Sequence, residues 1–163
     1  MKHLDQFYIN GAWVKPSAEA KAHEVINPAT EASEGTVYLA GKADVDAAIQ
    51  AARDAFEGFA ATPLEERLAM LEKIMGLYQS RLDDMAEAIS REMGAPRHSL
   101  AAKVQAPMGL AHAKAALESA REFPFEQKLG RANVRREPAG VCALITPWNW
   151  PMNQVMCKVA PAI

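Results

Sequence analysis

The stretch GVCALITPWNWPMNQVMCKVAPAI, Gly140–Ile163, decides how this chain is read. Val141 to Thr146 is an apolar run without alternation, the pattern of a strand buried on both faces of a parallel sheet. From Met152 the spacing turns helical, with Val155, Met156 and Val159 on one side. Between them lies ITPWNWP, Ile145–Pro151, which brackets Asn149 with two tryptophans and two prolines. A strand, a stiff loop and a helix in that order form a crossover, and open α/β sheets bind ligands at the carboxyl ends of their strands. Free N–H groups at the start of the helix favour an anion or a developing negative charge. Pro147 and Pro151 restrict the loop, so Asn149 is expected to keep one orientation. Its side-chain amide is a donor at every pH. Aimed at a carbonyl oxygen, such a donor stabilises an oxyanion by roughly 3–4 kcal/mol. The residues alone leave a second role open, in which Asn149 caps the helix or bonds a turn. The tryptophans equally suit a core.

Upstream of this stretch the pattern is first β and then helical. FYINGAWV, Phe7–Val14, sets Asn10-Gly11 between apolar runs, a hairpin signal because a type I′ turn needs positive φ at both central residues. HEVINPAT is a short strand ended by Asn27-Pro28, and GTVYLA is a further strand rich in β-formers. Val45, Ile49, Ala52, Phe56 and Phe59 then mark an amphipathic helix with Asp44 as its expected N-cap. A second helix is expected to start with Thr62 at N-cap, Pro63 at N1 and Glu65 at N3. Its apolar stripe runs from Leu64 through Leu68, Leu71, Met75, Tyr78, Leu82 and Met85 to Ile89, and Gly94 and Pro96 stop it. A third helical region covers about Leu100 to Glu122, where Pro107 must kink or divide it. Its alanines point to close packing. KLGRANVRREPAG reads as a charged hairpin around Gly130, suited to an exposed edge or an oligomer rim.

Composition narrows the classes. The chain has 163 residues, enough for one sizeable core, of which 50% are hydrophobic and 23% charged. A net charge of −2, no basic run and few aromatics argue against a nucleic-acid or membrane partner. There is no apolar stretch of transmembrane length, and MKHLDQFYING has no signal-peptide core, so a cytoplasmic location is expected. Cys142 and Cys157 read as buried, reduced thiols. No metal site is expected, since His3, His23, His98 and His112 show no ligand spacing with them.

The Gly140–Ile163 stretch resembles the NAD(P)-dependent aldehyde dehydrogenase superfamily, and the resemblance covers nearly the whole chain. FYINGAWV is similar to the family's N-terminal hairpin, and VINPATEASEGTVYLAGKADVDAAIQAARDAF to the segment after it. ATPLEERLAMLEKIMGLYQSRLDDMAEAISREMGAP is similar to the long helix that follows. The proline-tryptophan-asparagine element is the most specific part. The resemblance implies that Asn149 supplies a side-chain amide to an oxyanion hole. It implies that Ile145, Thr146, Pro147 and Trp148 line an NAD or NADP site, and that Lys158 lies near the active site or serves structure. It implies oxidation of an aldehyde to a carboxylic acid through a cysteine thiohemiacetal and thioester. Residues 125–136 match the start of an oligomerisation hairpin, which implies a homo-oligomer, dimer or tetramer.

The fold expected is therefore α/β and aldehyde dehydrogenase-like, present only as an N-terminal portion. Residues 1–123 would form part of the cofactor-binding domain, a hairpin followed by helices. Residues 124–138 would start the oligomerisation hairpin, and 139–163 would supply the first strand and helix of a Rossmann-like parallel sheet, truncated. The family's nucleophile, glutamate base, glycine-rich cofactor turn and ribose-binding lysine-glutamate pair fall beyond position 163. Neither Cys142 nor Cys157 matches the nucleophile, and apolar burial would make both inert. The isolated chain is accordingly expected to be inactive. A second reading is a short, catalytically incompetent assembly module. The abrupt apolar C-terminus counts against it. A small thiol enzyme using Cys157 is the weakest reading.

Overall fold

A computed structural model describes residues 3–163. Among the described residues, six short strands are used up in three separate antiparallel pairs. Strands β1 (Phe7–Ile9) and β2 (Ala12–Val14) form the expected hairpin, with Asn10 at φ 50° and Gly11 at φ 76°. Strands β3 (Lys21–Ile26) and β4 (Ser33–Leu39) pair next. Their connection is set by the Asn27 side chain, which accepts the Ala29 N–H at 2.9 Å. Strands β5 (Glu126–Leu129) and β6 (Ala132–Arg135) turn at Gly130, φ 61°.

Helix α1 spans Lys42–Ala60. Asp44 is not its N-cap but sits at N3, where its carboxylate accepts the Gly41 N–H and both the N–H and hydroxyl of Ser17, each at 2.8 Å. Gly41 is at the cap position, where only a residue without a side chain fits, since a Cβ there would lie 2.4 Å from Glu19 Cβ. Helix α2 (Leu64–Gln79) has Pro63, not Thr62, at N-cap, one residue later than the capping-box spacing predicts. The expected long helix is two. The Ser80 hydroxyl donates to the Leu77 carbonyl at 2.9 Å, and α3 (Leu82–Met93) starts after Arg81. Serine offers the backbone that alternative partner, while the apolar stripe continues across the break. Gly94, φ 73°, closes α3 as expected. The third helical region is divided beside Pro107, into a π-helix (Arg97–Gln105) and α4 (Ala106–Glu122). Last comes α5 (Pro151–Ala162), begun by Pro151.

Two apolar clusters form the interior. Leu68, Leu71 and Tyr78 of α2 meet Ala113 and Leu117 of α4 and Met156 and Ala160 of α5. Ala86, Ile89, Ala95, Ala101 and Ala106 join α3 to the π-helix. Met152 packs against both clusters, which makes the first turn of α5 their common wedge. The alanines of the third helical region do serve close packing, since Ala101 and Ala106 are fully buried.

The expected strand over Val141 to Thr146 does not form; the segment has no regular structure and its residues are exposed. A strand exists only through a ladder partner, and every described strand is already paired within its own hairpin. The expected burial of Cys142 fails for the same reason: it is exposed, and Cys157 is only half-buried. Among the described residues no helix is long and apolar enough to cross a membrane.

Candidate active site

The loop before α5 is built from its prolines outward. Pro151 opens the helix at a position that needs no N–H, and Gln154 N–H closes the first turn on the Trp150 carbonyl at 3.0 Å. Trp150, not Asn149, occupies the N-cap position, and no side chain caps the helix. Asn149 is exposed, and its side-chain amide forms no hydrogen bond among the described residues. The helix-cap role left open by the residues alone is thus absent. What remains is an amide donor presented to solvent from a loop held by two prolines.

Thr146, Pro147 and Trp148 come together on one wall of a groove of about 750 Å³. Met85, Ile89 and Glu92 of α3 and Pro28 line it with them. Trp148 is 80% exposed and offers a broad apolar face to anything that enters. Glu92 is an exposed residue, yet desolvation pushes its carboxyl up; the Arg91 guanidinium opposes this and the Glu34 carboxylate reinforces it. Ile145 lies outside this groove and is 83% exposed. Lys158 also lies outside it, half-buried on α5, where its ammonium donates to Gln154 Oε1 at 3.1 Å and lies 3.9 Å from Cys157 Sγ.

A second groove, about 520 Å³, runs between α2, α4 and α5 and takes in His112 and Cys157. His112 hydrogen-bonds Asn153 across the two helices. Each thiol donates to a backbone carbonyl of its own segment, Cys142 to Gly140 and Cys157 to Gln154. No group of three or more histidine, cysteine or acidic side chains that could hold a metal occurs among the described residues.

Sequence reasoning missed Gln105, whose amide nitrogen reaches the Asn149 carbonyl at 3.4 Å. It also missed Glu92 and the His112–Asn153 pair. The only signal for Gln105 was a polar residue inside an alanine-rich run just before Pro107.

The profile of the aldehyde dehydrogenase family matches residues 13–163. A 3-succinoylsemialdehyde-pyridine dehydrogenase from a Pseudomonas species is 50% identical over 100% of this chain, which covers 34% of that protein. The solved structure of a cysteine-to-alanine mutant of aldehyde dehydrogenase C from Pseudomonas syringae, complexed with NAD+ and octanal, superposes with a TM-score of 0.94. It is 42% identical, over 99% of this chain and 33% of that one. A Mycobacterium tuberculosis aldehyde dehydrogenase complexed with NAD+ is 32% identical, with a TM-score of 0.89 over 97% of this chain and 34% of that one. The chain belongs to the aldehyde dehydrogenase family, and its fold is a partial α/β fold of that family. It spans about a third of the length of the relatives it matches.

Proposed function

We propose that this chain is the N-terminal portion of an NAD(P)-dependent aldehyde dehydrogenase that oxidises an aldehyde to a carboxylic acid. The observation that carries the reading is Asn149: a side-chain amide without a partner among the described residues, on a loop fixed by Pro147 and Pro151 beside an apolar groove. When a thiolate adds to an aldehyde carbon, the carbonyl oxygen becomes an alkoxide. The Asn149 amide is the donor that takes up this charge, and it needs no proton of its own to do so. Family resemblance assigns the thiolate to a cysteine that neither Cys142 nor Cys157 matches, and the later steps to a thioester and its hydrolysis.

Thr146, Pro147 and Trp148 suit one wall of a dinucleotide site, since their groove is apolar and broad enough for a flat ring. The dinucleotide, when bound, supplies the hydride acceptor. Ile145 extends the same backbone but does not line the groove. Lys158 serves the site by bonding Gln154 and so stiffening α5. The β5–β6 hairpin would form part of a homo-oligomer interface, and a cytoplasmic location goes with this reading. The names of the relatives support an aldehyde substrate and NAD. No observation favours the stand-alone assembly module.

The test is Asn149→Ala in the enzyme that carries this chain. Loss of one oxyanion donor lowers kcat by about 10²- to 10³-fold. A kcat within about twofold of the unaltered enzyme would remove the basis for the reading. The 163-residue chain alone should produce no NADH from aldehyde and NAD+, because neither thiol bonds to an imidazole or carboxylate base. Turnover by the isolated chain, its mass verified, would overturn that second statement.

A further inference from the structure

Gln105 is 2% exposed, the most enclosed polar residue among those described. It stands where the π-helix hands over to α4, and the wide turn there is closed by Ala106 N–H on the Ala101 carbonyl, five residues back. A π-turn shifts every later side chain around the helix axis, and such turns recur at functional sites. Ala101 and Ala106, both fully buried, contribute only methyl groups beside it, which leaves room for an inward amide. Gln105 Oε1 is buried and has no partner among the described residues. Nε2 has one, the Asn149 carbonyl at 3.4 Å. Only the nitrogen can face that carbonyl, because Oε1 would set two acceptors against each other. The bond is long, and its donor side is the buried one.

We propose that Gln105 is a positioning residue, whose buried amide holds the Asn149 backbone carbonyl and so fixes where the Asn149 side-chain amide points. The inference rests on Asn149 being the oxyanion donor. Pro147 and Pro151 fix φ at either end of the loop, so its remaining freedom lies at Trp148, Asn149 and Trp150. Holding the Asn149 carbonyl fixes the plane of the Asn149–Trp150 peptide, and with it the Cα from which the Asn149 side chain projects. Gln105 ties that peptide to the interior.

The experiment is steady-state aldehyde oxidation by the full-length enzyme carrying Gln105→Met, Asn149→Ala, or both. Methionine keeps the length and apolar bulk and deletes the donor. Gln105→Met should lower kcat about tenfold, because small misplacements of a catalytic group are costly, with the KM for NAD+ within about twofold. The double variant should be no slower than Asn149→Ala alone, since Gln105 acts only through Asn149. A purely structural role would lower the rate on top of the Asn149→Ala loss, and that result overturns the proposal. So does a Gln105→Met enzyme as fast as the unaltered one while Asn149→Ala is slow; in that case the reading of Asn149 stands. If Asn149→Ala is fast, or no aldehyde is oxidised, both fall. Should Gln105→Met fold poorly, Gln105→Glu carries the test. Its carboxylate repels the carbonyl, whereas its protonated form donates, so kcat relative to the unaltered enzyme should fall as pH rises. A flat ratio overturns the proposal.

Discussion

Gly109 sets how closely α4 approaches its neighbours. A Cβ there would lie 2.5 Å from the Tyr78 hydroxyl oxygen, 3.0 Å from its ring and 3.1 Å from the Met152 carbonyl. A rigid ring and a backbone carbonyl cannot both retreat. Gly109→Ala should therefore destabilise the fold by about 1–3 kcal/mol, read as a lower thermal midpoint; an unchanged midpoint would mean the helices can separate freely. Tyr78 itself is buried and donates to the Ala106 carbonyl at 2.7 Å. Burial pushes its phenol up to about 12. The unfolded chain ionises it near pH 10. Between those values the native state holds more protons, so the contribution is full below about pH 10 and is lost as pH rises towards the folded value. Tyr78→Phe should flatten this alkaline loss in denaturant melts from neutral to high pH, and an unchanged alkaline slope would assign it elsewhere. At this scale the sequence was legible where a residue carries its own constraint. Prolines fix φ, so the bracket around Asn149 could be read directly. Gln105 could not, because the π-turn that directs it inward depends on how α3 and α4 pack.

Elements were legible where local chemistry alone specifies them. Asn10-Gly11 and Gly130 dictate their turns by positive φ, and Gly94 stops α3 in the same way. The start of α1 is different, because Ser17, which donates twice to the Asp44 carboxylate, is distant from it in sequence. Desolvation raises the Asp44 carboxyl, but hydrogen bonds from the Ser17 hydroxyl and the Gly41 and Ser17 N–H groups together outweigh this and hold it low. A depressed acid stabilises the fold above its unfolded value, about 4, and that stability is lost as pH falls through the folded value. Asp44→Asn should then lower the thermal midpoint at pH 7, and the gap to the unaltered chain should close in acid. A gap that stays constant down to about pH 2 would mean the charge is irrelevant. Glu34 follows the same sign: hydrogen bonds from Arg91 and Asn27 lower it, and the Arg91 bond ties the β3–β4 hairpin to α3.

Across the whole molecule, the Gly140–Ile163 stretch shows what periodicity can and cannot tell. Its helix formed because α5 finds α2 and α4 within the chain. Its strand did not, because a strand is a property of a pair, and a run of apolar residues carries no information about whether a partner is at hand. The consequence is an exposed apolar strap. Val141, Cys142 and Leu144 border a shallow groove against Phe56 and Phe59 of α1, while Ile145 stands free of it. Unpaired N–H and C=O groups beside exposed β-forming residues are a template for pairing with another chain. The 163-residue chain in isolation should therefore self-associate as its concentration rises, read as growing mass in sedimentation or light scattering. Ile145→Lys should reduce this, because a charge on the strap opposes strand pairing. Another exposed apolar site is the β1–β2 hairpin, where Trp13 stacks on His3 at 4.3 Å. Trp13→Lys is the matched comparison. If it abolishes association and Ile145→Lys leaves it intact, the hairpin and not the strap is the sticky surface.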